Sequence, residues 1–204
     1  MSVTRLACGN LTEPPFEDTS SLVYLGALLN ASGRIDSELS RKLGTARADF
    51  NQLQRIWGHG GVPLRDKLQY FRAFVLSKLQ YGLSTVWLVT AQRRRIDGFV
   101  ARCLRRMLGV PPAFVSRVSN ATVYSKACFK PFSQQLLKHQ LGLLRKVALT
   151  GPHHPMRKDT FIDSTVIPQI GRFIRRVGRP RQDWATQLLR EGRELSGFTK
   201  LYTF

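Results

Sequence analysis

Apolar side chains recur at helical spacing through the first half of the chain. From residue 35 to residue 57 they step by three or four positions, which predicts one amphipathic helix that buries Ile35, Leu39, Leu43, Ala46, Phe50, Leu53 and Trp57. The stretch "GHGG" ends this helix, and Pro63 suits the first turn of a second helix that runs to about Leu79. A third helix is predicted from Ala91 to Leu108, with Thr90 as its N-cap. Short connections between the three helices predict a small antiparallel bundle.

Less regular patterns flank the three helices. The stretch "SLVYLGALLN" is β-prone and precedes a turn, so it predicts a short strand or half of a hairpin. Helical stripes return after Asn120, after Pro131 and near Pro180, so the chain is expected to be mainly α-helical. Six segments follow from the pattern: a polar arm (1–20), a strand and turn (21–33), the three-helix bundle (34–110), a helical connector (111–150), an irregular basic linker (151–179) and a C-terminal helix with a tail (180–204).

The charge of the chain is far from balanced. Thirty-two Lys and Arg residues face 13 Asp and Glu, which gives a net charge of +19, and no acidic residue lies between Asp97 and Asp159. Such a surplus repels itself in a compact state unless a polyanion or counterions offset it. Nucleic acid is the usual partner of such a chain. An anionic membrane surface, or solubility alone, is the alternative explanation.

The third predicted helix concentrates part of this charge on one side. On a helical wheel its apolar residues fall together, and five arginines fall on the opposite side: Arg94, Arg95, Arg102, Arg105 and Arg106. A solvated charged face is the ordinary explanation of such a pattern. This face carries arginine without a Glu four residues away to pair with. Because the planar guanidinium donates two parallel hydrogen bonds to a phosphate, we favour phosphate binding.

The sequence lacks the usual residues of a catalytic or metal site. Its adjacent acidic pair, Glu17–Asp18, has no third partner, although two-metal polymerases and nucleases need clustered carboxylates. No Cys/His spacing fits zinc, and no nucleophile motif or phosphate-binding glycine loop is present. We therefore expect no enzyme activity, metal, cofactor or small-molecule substrate. Three scattered cysteines indicate a reducing, intracellular compartment, nuclear or cytoplasmic, and no apolar run is long enough to span a membrane.

The order of several short motifs resembles the C-terminal part of LINE-type, non-LTR retrotransposon reverse transcriptases. In this family a YLG strand precedes a helix with an Arg-aliphatic pair, a YG…W segment, an LR..LG sequence and a GRP…W element. The matching residues are Tyr24, Leu25 and Gly26; Arg41 and Leu43; Tyr81, Gly82 and Trp87; Leu104, Arg105, Leu108 and Gly109; and Gly178, Arg179, Pro180 and Trp184. They span about residues 21–190. Each motif is weak alone, and the order and spacing carry the resemblance.

The resemblance implies a role for each part of the chain. The YLG strand, with Tyr24 and Gly26, would belong to the region that holds the primer terminus. The three helices would form the thumb, which holds the template–primer duplex, and the later helices would form a basic connector. The family's palm, with its catalytic aspartates, would precede Tyr24, but only 23 residues do so here. Polymerase activity therefore does not transfer, and a truncated or decayed copy is expected.

The stretch "RRVGRPRQDW" has three possible explanations. It is the core of an AT-hook, in which arginine enters a narrow minor groove; or a turn that begins a helix, with Trp184 packed inward; or a basic phosphate contact. Val177 before the glycine and Asp183 after it are unusual for an AT-hook. The basic residues available for contact are Arg175, Arg176, Arg179 and Arg181.

Three hypotheses for the whole chain remain open at this point. The first is a nucleic-acid-binding thumb and connector without a palm, whose partner is RNA/DNA or DNA duplex bound with little regard to sequence. The second is a free-standing DNA-binding or chromatin-associated protein that uses the GRP element. The third is the product of a non-functional pseudogene.

Overall fold

A computed structural model describes residues 21–30, 35–162, 165–169 and 183–196 of the chain. The chain divides into two compact units, Met1–Arg34 and Ile35–Phe204. The first unit contains a short antiparallel hairpin, and the second is helical. The expectation of a mainly α-helical chain with a short N-terminal strand or hairpin is therefore confirmed.

The hairpin of the first unit pairs β1 (Ser21–Tyr24) with β2 (Ala27–Asn30). Tyr24 lies opposite Ala27, so only two residues form the turn. Both of them, Leu25 and Gly26, have positive φ angles, 47° and 77°. A two-residue turn with positive φ at both positions matches the right-handed twist of the flanking strands, and glycine adopts that conformation without steric cost. In the YLG motif, Tyr24 is thus the last residue of β1, and Leu25 and Gly26 are the turn.

The second unit consists of helices joined mostly by short loops. In the described ranges they are α1 (Asp36–Gln52), α2 (Gln54–Gly58), α3 (Leu64–Tyr70), α4 (Ser77–Gln80), α5 (Thr90–Met107), α6 (Ala113–Ser116), α7 (Asn120–Lys126), α8 (Phe132–Leu149), α9 (Pro155–Thr160) and α10 (Trp184–Ser196). A π-helical segment, Phe71–Leu76, joins α3 to α4, and a 3₁₀ turn, Leu83–Thr85, follows α4. Helix α1, the α3–α4 rod and α5 surround one core.

The first predicted helix is interrupted at Leu53. Its backbone there departs from helical angles, which separates α1 from α2. The break lets the indole nitrogen of Trp57 donate a hydrogen bond of 2.7 Å to the carbonyl of Phe50, and the two rings stack 5.0 Å apart. Phe71 meets both rings edge-on. A buried tryptophan needs a partner for its N–H. Here the carbonyl of Phe50 is that partner, and the break in the helix lets the indole reach it.

Helix α5 is one of the helices that form the core. Its apolar stripe is buried as the periodicity predicts: Ile96, Phe99, Val100, Cys103, Leu104 and Met107. Thr90 is the first residue of the helix, so the expectation that it is the N-cap is wrong. The side chain of Gln92 instead accepts a hydrogen bond from the Val89 N–H and donates one to Asp36 at the start of α1. Gly109, with φ of 66°, follows the helix as predicted.

The later helices extend this core. Helix α8 packs on α5 and on the 3₁₀ turn, and α10 packs on α8. Asp183 accepts hydrogen bonds from the backbone and hydroxyl of Thr186, which caps α10 at its N-terminus. The indole of half-buried Trp184 donates to the carbonyl of Ser84. The inward packing of Trp184 expected for the turn explanation is therefore present, and residues 170–182 lie outside the described part of the chain.

Candidate nucleic-acid interface

An open groove of about 940 Å³ lies between α1 and α5. Six arginines line it: Arg47, Arg94, Arg95, Arg102, Arg105 and Arg106. The other lining residues are small, polar or apolar, and none of them is acidic. Five of these arginines are exposed, and their convergence without a carboxylate produces a positive potential that is strengthened by the low-dielectric walls of the groove. The groove therefore attracts anions.

Four of the five arginines expected on the third helix are exposed in the groove. Arg95 donates to the hydroxyl of Ser40 on α1, and Arg106 donates to the side-chain carbonyl of Gln54 on α2; both distances are 3.1 Å. The side chains of Arg94 and Arg102 make no hydrogen bond or ion pair with any residue of the described ranges. Each guanidinium carries five N–H donors, so all four retain donors for a ligand.

Arg105 does not belong to the exposed set, contrary to the sequence-based expectation. Only 4% of its surface is exposed. Its guanidinium donates to the carbonyls of Pro111 and Val118, to the Ser116 hydroxyl and to the Asn120 side-chain oxygen. A buried charge is tolerated when its donors are satisfied, and this one is satisfied by the loop after α5. Arg105 thus fixes that loop against the end of the groove.

Arg47 is a groove residue that the sequence analysis missed. It is exposed on α1 and faces the arginines of α5 across the groove. Its position follows from the stripe of α1, which buries Ala46 and Phe50 and leaves Arg47 outward. A helical wheel of α1 could have shown that it is outward. Only the packing of α1 against α5 brings it beside the other arginines.

Two glycines, Gly44 on α1 and Gly98 on α5, line the same groove. A Cβ added at either position would meet no atom within 4 Å. Neither glycine has a positive φ, so the backbone does not require them. Glycine inside a helix costs roughly 0.5–1 kcal/mol relative to alanine. Because Gly44 and Gly98 have no side chain, they leave the backbone of α1 and α5 open to a ligand in the groove.

The substitution Gly98→Ala is expected to raise the free energy of unfolding by about 0.5–1 kcal/mol, because it removes unfolded-state entropy without a clash. Gly109→Ala, the control, is expected to lower it by about 1 kcal/mol or more, because its φ of 66° disfavours a Cβ. Urea denaturation of both variants checks this pair. Destabilisation by Gly98→Ala would show that the groove is tighter than the structure indicates.

The nearby carboxylates are engaged away from the groove. Asp97 on α5 accepts hydrogen bonds from the backbone and hydroxyl of Ser133 at the start of α8. Glu38 on α1 is buried and pairs with Arg41 and Lys42. Its hydrogen bond raises the pKa of the Arg41 guanidinium. The groove arginines are therefore not neutralised by these two acids.

The groove region offers no activated nucleophile at Cys103. This thiol lies on the core side of α5, and burial raises its pKa to about 12. The nearby Arg102, Arg47 and Arg106 oppose that shift without overcoming it. The thiolate is the reactive form of cysteine, so Cys103 stays an inert thiol near neutral pH. It serves as an apolar core residue.

Other residues named from the sequence belong to the first unit, to the connection after α4, or to the part of the chain outside the described ranges. Tyr24 is exposed and Gly26 forms the turn in the hairpin, which belongs to the other unit. Arg175, Arg176, Arg179 and Arg181 lie outside the described residues. Tyr81 and Gly82 lie between α4 and the 3₁₀ turn, and Gly82 has a φ of 76°.

In the described ranges no three His, Cys, Asp or Glu side chains come together as a group that could hold a metal ion. No helix of those ranges has both the length and the apolarity needed to cross a bilayer. Comparison with known proteins gave no match to any family model, curated protein or solved structure. The groove is thus the feature from which a function can be argued.

Proposed function

We propose that the chain binds the phosphate backbone of nucleic acid in the groove between α1 and α5. The observation that carries this proposal is the convergence of five exposed arginines, without a carboxylate, on one open surface. Arginine donates bidentate hydrogen bonds to phosphate oxygens, and backbone contacts of this kind are independent of sequence. The net charge of +19 acts in the same direction, because it favours encounter with any polyanion.

We further propose that this binding is that of a thumb and connector of a LINE-type reverse transcriptase. Support comes from the order of the YLG, YG…W, LR..LG and GRP…W motifs together with the helical arrangement that follows the hairpin. In this proposal the groove arginines hold the template–primer backbone. The motif residue Arg105 has a different part, since it fixes the loop after α5 rather than contacting the backbone itself.

Binding is tested by titrating the purified chain against a blunt duplex and against vesicles that contain anionic lipid, at several salt concentrations. The proposal predicts binding to the duplex that weakens linearly in log affinity against log salt. AT-rich and GC-rich duplexes should bind equally, since phosphates are read. Binding to vesicles without binding to duplex would contradict the proposal, and a preference for AT-rich duplex that Arg179→Ala removes would favour the free-standing DNA-binding protein.

The chain is proposed to bind without catalysing synthesis. With Mg²⁺, nucleotides and a primed RNA template, it is expected to show no primer extension, because two-metal catalysis needs clustered carboxylates. In the described ranges no three His, Cys, Asp or Glu side chains come together as a group that could hold a metal ion, and Asp97 and Glu38 have partners of their own in Ser133, Arg41 and Lys42. A gel-based extension assay checks this, and metal-dependent extension that copurifies with the chain would contradict it.

A further inference from the structure

The loop after α5 displays an apolar aromatic ring at the groove. Phe114 lies on α6, lines the groove together with Arg102 and Arg106, and is 86% exposed. An exposed Phe that stands alone needs no explanation, but this ring stands in a surface that five exposed arginines also line. Proteins bind single-stranded nucleic acid with cationic side chains that contact its backbone and with aromatic rings on which its bases stack.

The loop that carries Phe114 is held in place from both sides. Pro111 and Pro112 precede the helical turn, and proline fixes its own φ angle. The Ser116 hydroxyl bonds to the carbonyls of Pro111 and Pro112, and buried Arg105 bonds to Pro111, Ser116 and Val118. A ring on a fixed support loses little conformational entropy when it stacks on a ligand. The buried arginine thus positions the exposed ring.

The position of the ring along the groove indicates what it contacts. From Arg94 to Arg106 helix α5 rises roughly 18 Å, enough for about five phosphates of one strand at B-form spacing. Phe114 lies at the Arg105–Arg106 end of this arginine row, because Arg105 holds its loop. In a continuous duplex the faces of the bases are covered by their neighbours. A ring at the end of the row therefore meets a base face where a base is unpaired or where a duplex ends.

We propose that the groove holds one strand of the bound nucleic acid, with its phosphates on the groove arginines and, where that strand is unpaired, one base stacked on Phe114. This inference rests on the proposed function and adds a base contact that the site makes where the bound nucleic acid is unpaired. Five exposed guanidinium groups supply charge complementarity to the strand, and the aromatic face supplies a contact that any base can make. A lipid surface, which also takes basic and aromatic residues, is the alternative that the experiment distinguishes.

The experiment measures the affinity of the full chain for three nucleic-acid probes and for vesicles that contain anionic lipid. The three probes are an oligothymidylate, an abasic oligomer of the same length, and a closed circular duplex, which has no exposed end. Phe114→Ala is expected to lower affinity for the oligothymidylate by about 5- to 100-fold, as loss of base stacking does. Its affinity for the abasic oligomer and for the duplex should stay that of the parent, and its salt slope should not change. Phe114→Trp should retain the parent's affinity for the oligothymidylate, because indole also stacks.

A matched control is Phe74→Ala, which removes another exposed Phe outside the groove lining. It should bind all three probes like the parent. Equal oligothymidylate affinity of the parent and Phe114→Ala would overturn the inference while leaving the proposed function in place. Equal losses on the oligothymidylate and on the abasic oligomer would also overturn it. If the parent binds none of the probes, the proposed function itself fails, and a Phe114→Ala loss confined to anionic vesicles would assign the ring to a lipid surface.

Discussion

Arg105→Gln is expected to lower the free energy of unfolding by on the order of 3 kcal/mol. The substitution removes the donors that satisfy the carbonyls of Pro111 and Val118 and the side-chain oxygen of Asn120. Hydrogen bonds from a charged donor contribute more than neutral ones, and the shorter Gln leaves the space of the buried guanidinium unfilled, which is why the loss exceeds that of an ordinary hydrogen bond. Urea denaturation followed by circular dichroism measures the effect.

Arg106→Gln is the matched control for this prediction. It changes the next residue of the same helix to the same side chain, but Arg106 is exposed and donates only to Gln54. Exposed substitutions of this kind stay within about 0.5 kcal/mol of the parent. Equal unfolding midpoints for the two variants would contradict the buried role of Arg105. Destabilisation by Arg106→Gln alone would show that Arg106, rather than Arg105, makes the buried contacts.

The largest expected effect on binding comes from removing the exposed arginines of α5. The groove variant carries Gln at Arg94, Arg95, Arg102 and Arg106, and leaves Arg105 in place so that the fold is kept. If each arginine neutralises one phosphate, the variant loses about 10³- to 10⁴-fold in duplex affinity at ~0.1 M salt, where each phosphate neutralised contributes close to one order of magnitude. Fluorescence anisotropy with a labelled duplex measures this loss.

A control variant removes the same charge elsewhere. It carries Gln at four exposed basic residues that do not line the groove: Lys126, Lys138, Arg145 and Lys146. Charges beyond a Debye length of about 10 Å from the ligand are largely screened, so only a few-fold loss is expected. A loss as large as that of the groove variant would mean that net charge, rather than the groove, determines binding.

The periodicity of apolar residues was enough to predict most of the helical core. The stripe of α5 and the glycine after it lie where the sequence places them, because a repeat of 3.6 residues and a left-handed C-terminal residue are local properties. The break at Leu53 was not predictable in this way. It depends on Trp57 reaching the carbonyl of Phe50 and on Phe71 from another helix, which are tertiary contacts.

The candidate site shows the same division between local and tertiary information. A helical wheel places Arg105 beside Arg102 and Arg106, and it has no means of showing that a later loop covers that part of the helix. The arginine Arg47 and the ring of Phe114 come from other elements, and only packing brings them to α5. The sequence thus predicted the cationic helix, whereas the groove and the buried role of Arg105 required the fold.

The most direct test of the groove as a phosphate-binding surface is the slope of log affinity against log salt for the parent, the groove variant and the control variant. On B-form DNA this slope flattens by about 0.9 for every phosphate that the protein no longer neutralises, so the groove variant should be flatter than the parent by roughly three to four if each arginine neutralises one phosphate. The control variant should keep a slope close to that of the parent. A groove variant with the parent's slope, or a control variant flattened equally, would contradict the proposal that nucleic acid lies in the groove between α1 and α5.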